Sequence, residues 1–220
     1  MDSPSLDRVR HLEALDALAR VNAVSLSARR VWAEIARLTR RGVEPVRVLD
    51  VACGGGDVLH SLARRARKGG MRVDLHGCDL SAVALDRARS GVADGLDVTF
   101  QEIDVLQDPI PSGFDVICSS LFLHHLPGEA AVHLLGAMSS ATRRVLVVQD
   151  LLRTRLGYLY AWVGLGVLTR SEVARHDGLV SVASAFTLGE AQALCRDAGL
   201  PDAELVRSWP QRFTLRWERA

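Results

Sequence analysis

Val46-Arg47-Val48-Leu49-Asp50-Val51-Ala52-Cys53-Gly54-Gly55-Gly56 decides the fold. Its first six residues are short, branched and mostly apolar, as in a strand buried on both faces of a parallel sheet. Three glycines then clear side chains from a turn that passes close to a ligand. Val58, Leu62, Ala63 and Ala66 follow at helical spacing, and Gly69-Gly70 closes that helix. Strand, glycine turn and helix in this order make a nucleotide-type site.

Reading on toward the C-terminus, the alternation repeats. A second strand, Val73 to Cys78, leads to Asp79, and Ser81 can cap a helix through Leu85 and Ala88 to Gly91. A third strand, Val98 to Ile103, leads to Asp104; Pro109 and Pro111 mark a loop. Phe114 to Ser119 is a fourth strand, Gly128 to Ala141 a helix, and Arg144 to Gln149 a fifth strand that leads to Asp150. Two more strands, near Ala203 to Ser208 and Phe213 to Trp217, finish the chain. The expected fold is α/β: a Rossmann-like, seven-stranded, mostly parallel sheet with helices on both faces.

On the N-terminal side, Leu6, Val9, Leu12, Leu15 and Leu18 lie along one helical face. Val31, Trp32, Ile35 and Leu38 form a second helix, with Ser27 as its N-cap, before Gly42 and Pro45 break the chain. Leu151 to Leu179 has no matching strand and reads as a helical insertion, with a capping box at Thr169 to Glu172. A better capping box, Thr187 to Glu190, opens a helix through Leu194 that Gly199 and Pro201 close. The expectation is one domain: an N-terminal extension over 1–42, a cofactor half over 43–150, a lid over 151–185 and a closing helix and strands over 186–220.

Composition narrows the function. The 220 residues are 48% apolar with a net charge of +1, which gives no general pull toward nucleic acid or an anionic membrane. Cys53, Cys78, Cys118 and Cys195 are widely spaced, so neither a zinc site nor a disulfide framework is expected, and no metal. No secretory leader opens the chain, and a cytoplasmic, reduced protein is expected. The apolar stretch from Leu156 to Thr169 is too short and interrupted for stable membrane insertion. Nothing in the sequence fixes an oligomeric state.

A dinucleotide turn needs a third glycine in G-x-G-x-x-G; counted from Gly54, that position is Leu59. The pattern is instead an acid followed by small residues at alternate positions: Asp50, Ala52, Gly54, Gly56. Here the chain resembles the class I S-adenosylmethionine-dependent methyltransferases, in Val48 to Gly56 and in the order of elements from Val46 to Trp217. Ala52 departs from the glycine usual in that family. The resemblance implies S-adenosyl-L-methionine as cofactor and S-adenosyl-L-homocysteine as product. It places Asp50, Ala52, Cys53, Gly54 and Gly56 around the methionine end, Asp79 and Leu80 at the ribose, Asp104 at the adenine amino group with the Val105 backbone N–H beside it, and Ser119 and Ser120 near the methyl donor. A carboxylate such as Asp79 can accept two hydrogen bonds from a ribose diol.

The acceptor side is less determined. Leu123-His124-His125-Leu126 follows the fourth strand where families that methylate exocyclic nitrogens carry Asn/Asp-Pro-Pro-aromatic. It looks more like the small-molecule methyltransferases, including those of quinone and polyketide pathways. Adjacent histidines are expected to point in different directions. His125 and His176 are the candidate catalytic bases, and His124, Asp150, Tyr158 and Trp162 the candidate substrate contacts. Tyr158 and Trp162 would line an apolar pocket, so the expected acceptor is a hydrophobic or aromatic small molecule methylated on oxygen or carbon. The competing readings are an NAD-dependent oxidoreductase, a non-catalytic binding protein on the same fold, and a macromolecular methyltransferase.

Overall fold

The computed structural model describes residues 27–92, 97–159 and 172–220, with side chains from residue 178 onward in the last segment. The expected N-terminal helix through Leu18, the capping box at Thr169 and the pocket residue Trp162 lie outside the described residues.

The sheet is built from β1 (Val46–Val51), β2 (Val73–Asp79), β3 (Val98–Glu102), β4 (Phe114–Ser120), β5 (Thr142–Leu151), β6 (Glu204–Ser208) and β7 (Arg212–Glu218). Their order is β3-β2-β1-β4-β5-β7-β6, so the chain reverses direction across the sheet at β1 and β4. Strands β1 to β5 are parallel, while β7 runs antiparallel between β5 and β6. The expected seven-stranded, mostly parallel sheet is borne out. Between β1 and β4 the crossovers leave a crevice at the carboxyl ends of the strands, where open α/β sheets hold their ligands.

Each strand feeds two cores. On one face Val46, Val48, Val116, Val145 and Val147 meet α1 (Ser27–Arg40) through Val31, Ile35 and Leu38, and α2 (Asp57–Gly69) through Val58, Leu59 and Leu62; Leu85 and Ala88 of α3 (Ala82–Ser90) join them. On the other face Leu49, Val51, Ile117, Leu146 and Val148 meet α4 (Gly128–Ala141) through Leu134, Leu135 and Met138, and α6 (Leu188–Asp197) through Ala191 and Leu194. The alternation Val48/Leu49 and Val147/Val148 is the two-residue period of a strand buried on both sides. A further helix, α5 (Glu172–Ser184), lies in the expected insertion, and residues 155–159 form a helical turn.

The caps at Ser81, Gly70 and Thr187 fall where the sequence placed them, while Ser27, read as an N-cap, is the first residue of α1. Ser81 Oγ accepts from the Ala84 N–H, and Gly70 ends α2 in the left-handed conformation. At α6, Thr187 Oγ accepts from the Glu190 N–H while the Glu190 carboxylate accepts from the Thr187 N–H. At Ser27 the structure adds something the sequence did not give: its hydroxyl accepts a hydrogen bond from the buried guanidinium of Arg212, at 3.0 Å. Among the described residues, no helix is long and apolar enough to cross a membrane.

Candidate functional site

The loop after β1 turns through three left-handed positions, Ala52 (φ 56°), Gly54 (φ 52°) and Gly56 (φ 76°). Glycine takes that conformation freely and alanine at a cost of about 1–2 kcal/mol, so Ala52 is strained where it stands. Space explains the third position. A Cβ on Gly56 would come within 3.1 Å of Ala88 Cβ and Phe100 Cζ and 3.2 Å of His60 Cε1. The loop is tied down by backbone bonds, Cys53 N–H to Cys78 O and Gly56 N–H to Cys53 O, and by the Gly54 N–H, which donates to Asp79 Oδ2 at 2.8 Å.

Asp79 thus joins two turns. Its other oxygen accepts from the Ser81 N–H at 2.9 Å. Leu80 beside it is exposed, an apolar side chain at the rim. Asp104 lies one strand further along: the Ile103 N–H donates to Asp79 O, and Asp104 Oδ1 accepts from the Leu106 N–H to shape its own turn. Val105 is buried under that turn. The structure therefore brings Asp50, Ala52, Gly54, Gly56, Asp79, Leu80, Asp104 and Val105 to neighbouring strand ends.

Asp50 is almost fully buried, and the Cys118 thiol donates to its Oδ1 at 3.5 Å. Burial, with the negative charges of Asp79 and Asp57 nearby, pushes its carboxyl up to about 7, against the Cys118 hydrogen bond. Burial likewise raises the Cys53, Cys78 and Cys118 thiols, Cys78 to about 12, so they remain neutral donors and apolar fillers. At the end of β4, Ser119 is buried and Ser120 presents a buried Oγ that has no partner among the described residues. Three acids, an orphan hydroxyl and a glycine-lined turn fit a cofactor that carries a ribose, an adenine and positive charge.

Residues 48–144 match the family described as a methyltransferase domain. The chain is 28% identical over 177 residues to the ubiquinone biosynthesis O-methyltransferase of Psychrobacter arcticus (strain DSM 17307 / VKM B-2377 / 273-4), covering 80% of this chain and 67% of that protein. It is 32% identical over 167 residues to the protein of that name from Azoarcus sp. (strain BH72), covering 72% and 66%. The chain belongs to the class I S-adenosylmethionine-dependent methyltransferases. Its fold is that of the plantazolicin methyltransferase BpumL in complex with S-adenosylhomocysteine (TM-score 0.68, 16% identity, 99% of this chain and 92% of that one). It is also that of magnesium protoporphyrin IX methyltransferase from Synechocystis PCC 6803 (TM-score 0.61, 19% identity, 99% and 90%). The chain spans about half to two thirds of the length of the curated relatives it matches.

The methyl-acceptor end of this methyltransferase differs from its sequence reading at several residues. His124 and His125 sit in a one-turn 3-10 helix, Leu123–His125, and do not diverge: their rings stack at 4.1 Å between centroids, 36° apart. They differ in burial instead, His124 inside and His125 exposed. Asp150, read from the sequence as a candidate substrate contact, is bonded within the fold. It is fully buried, its Oδ1 lies 2.6 Å from His124 Nδ1 and also accepts from the Leu151 N–H, and its Oδ2 accepts from the His124 N–H. The turn is entered through Leu121, at φ 60°, whose N–H donates to Gln149 O; a buried leucine held left-handed is strain that the surrounding bonds maintain. Tyr158 is half exposed rather than a pocket wall. His176 lies in α5, which packs against the 3-10 turn; its side chain, like Trp162, is outside the described residues.

Two buried polar residues escaped the sequence reading, and a third was read there in another role. Gln149 is buried and its amide donates to Ser27 O at 2.8 Å; Arg212 is buried against Ser27; and Asp150 acts on His124 rather than on a ligand. The one signal for them was polar residues at the ends of otherwise apolar strands, Gln149-Asp150 and Arg212.

Proposed function

We propose that this chain transfers a methyl group from S-adenosylmethionine to a hydroxyl of a small hydrophobic or aromatic molecule, as a single-domain cytoplasmic enzyme. The observation that carries this reading is the buried His124–Asp150 pair at the end of β4 and β5. An aspartate on Nδ1 orients the ring and favours the tautomer in which Nε2 can accept a proton, the arrangement a general base requires. That reading moves the catalytic assignment from His125 to His124, with His176 a further candidate. Oxygen is favoured over carbon as the acceptor because a phenol must lose a proton, and the curated relatives are named as O-methyltransferases.

Bound at the crevice, the cofactor supplies a methyl group activated by its sulfonium. Asp79 accepts from the ribose, Asp104 and the Val105 N–H take the adenine edge, Leu80 covers its face, and the glycine loop lets the methionine end lie against backbone near Asp50. Ser120 Oγ is placed at the donor end of the same strand as the histidine turn. His124 takes the acceptor's proton as the new bond forms, and most of the remaining rate comes from alignment in an enclosed site. Free thiols throughout accord with a reducing compartment.

The experiment is a methylation assay with a panel of phenols and catechols, read by mass, on the native chain and on His124→Gln. The expected result is O-methyl product from the native chain and a fall of about 10²–10⁴-fold in kcat for the variant, with S-adenosylhomocysteine affinity unchanged. Binding of NAD in place of S-adenosylhomocysteine, or methylation of charged polymers only, would overturn the reading.

A further inference from the structure

On the sheet face that packs against α1, the carboxyl edge of β4, β5 and β7 carries buried polar side chains. Ser120 pairs in register with Gln149 and Gln149 with Thr214, while Arg212, two residues before Thr214, pairs with Leu151. Side chains two apart on a strand share a face, so Ser120, Gln149 and Arg212 stand on one face and Asp150 on the other. Arg212 is 2% exposed. Its Nη1 donates to Ser27 Oγ at 3.0 Å, and the Gln149 amide donates to Ser27 O at 2.8 Å. One edge of the guanidinium is left over. Nε is buried without a partner, and the edge it shares with Nη2 makes no hydrogen bond among the described residues. Ser120 Oγ, two strands away on the same face, is also buried without a partner among them.

Buried polar groups are almost always bonded, and a buried cation without a partner is destabilising. The Nε–Nη2 edge is the fork that takes a carboxylate side-on, through two parallel hydrogen bonds. Position decides whose carboxylate it takes. The acids that face the cofactor lie on or beside β1, β2 and β3, across β4 from β7. The fork lies beyond β5, roughly 10 Å from β4 at the usual strand spacing, on the acceptor's side of the crevice. We propose that Arg212 is a specificity-determining residue: its Nε–Nη2 edge, with the Ser120 hydroxyl on the same face, receives a carboxylate of the methyl acceptor, which makes the substrate an aromatic acid rather than a neutral phenol. The inference rests on the reading of this chain as a methyltransferase of small aromatic hydroxyl compounds. The acid lies across the carboxyl edge of the sheet, its carboxylate on the α1 face and its hydroxyl toward the His124 turn. Gln149 and Ser27 hold the guanidinium and the start of α1 together. An acid neutralises the buried cation; a neutral phenol leaves it bare.

The test is calorimetry on the full chain with S-adenosylhomocysteine bound, using hydroxybenzoates and dihydroxybenzoates against their carboxamides. At least one acid is expected to bind the native chain about 10–100-fold more tightly than its amide, from hydrogen bonds to a charged group. Arg212→Gln is expected to erase that preference by weakening the acid alone, and Arg212→Lys to keep part of it. Equal affinity of every acid and its amide for the native chain overturns the proposal, and so does a preference that survives in folded Arg212→Gln. Should both Arg212 variants unfold, Ser120→Ala decides: a reduced preference is expected, and an unchanged one overturns the proposal. The fork belongs to the cofactor instead if Arg212→Gln weakens S-adenosylhomocysteine but not methylthioadenosine, which has no carboxylate; that result also overturns it. Failure of the methyl-transfer reading looks different: the acids would then bind by preference and leave without a methyl group.

Discussion

The two ends of the crevice are built by different means. The cofactor end is mostly backbone: a strand and turn of eleven consecutive residues from Val46 to Gly56, its N–H groups, and acids at or near strand ends. The acceptor end is made of side chains far apart in sequence: His124 with Asp150 on one face of the sheet, and Ser27 with Gln149 and Arg212 on the other. The first end tolerates little change in shape but holds its ligand through many small contributions. The second concentrates its chemistry in one buried pair. Binding and chemistry are therefore expected to fail separately, and His124→Gln, which removes turnover and leaves cofactor affinity intact, is the largest expected split between them.

Asp79→Ala attacks the other end. It removes a ribose acceptor and leaves the Gly54 N–H without its carboxylate, so cofactor affinity is expected to fall about 10–100-fold by calorimetry, from roughly 1–3 kcal/mol of lost hydrogen bonding. An Asp79→Ala chain that binds as tightly as the native one would show that the loop alone holds the cofactor.

Gly56→Ala tests whether the loop is fixed by space or only by conformation. A methyl there meets three side chains at 3.1–3.2 Å with φ at 76°, and a loss of about 2 kcal/mol in folding stability is expected in denaturant melts. Loss of under half that would mean that Phe100 and His60 move aside at little cost.

Asp50 makes the cofactor end sensitive to pH. Its carboxyl titrates near 7 because it is buried beside other acids. The folded chain without cofactor therefore holds a proton that the unfolded chain has already lost above about pH 4, so stability falls as the pH rises from there to about 7 and then levels. A bound cation favours the carboxylate. S-adenosylmethionine binding is thus expected to release most of a proton at about pH 6 and almost none at about pH 8.5, measured by calorimetry in buffers of different ionisation heat. Asp50→Asn abolishes that difference.

The smallest effect is at Ala52. Relief of its left-handed strain outweighs the extra freedom that glycine brings to the unfolded chain, and Ala52→Gly is expected to stabilise by about 0.5 kcal/mol with cofactor affinity unchanged. A melting temperature below the native one would mean that the alanine methyl packs usefully.

The sequence by itself determined the sheet, the crevice end and the cofactor class. Those signals are local: a two-residue period in strands, glycines that permit left-handed turns, and acids at strand ends are legible in any window of ten residues. Even the departures, Leu59 for a third glycine and Ala52 for the usual one, could be read there. Tertiary structure alone decided the chemistry beyond the cofactor. His124 and Asp150 are separated by a helix and a strand, and nothing in Leu-His-His-Leu says which histidine turns inward; a 3-10 turn entered through a strained Leu121, and a carboxylate at the end of the neighbouring strand, settle it. Asp150 reads as a substrate contact at a strand end until the sheet closes over it, and Arg212 as one arginine among many until β7 folds back beside β5. The physical reason is that the meaning of a charge depends on its neighbours and its burial, and both are properties of the assembled sheet rather than of the strand that carries the residue.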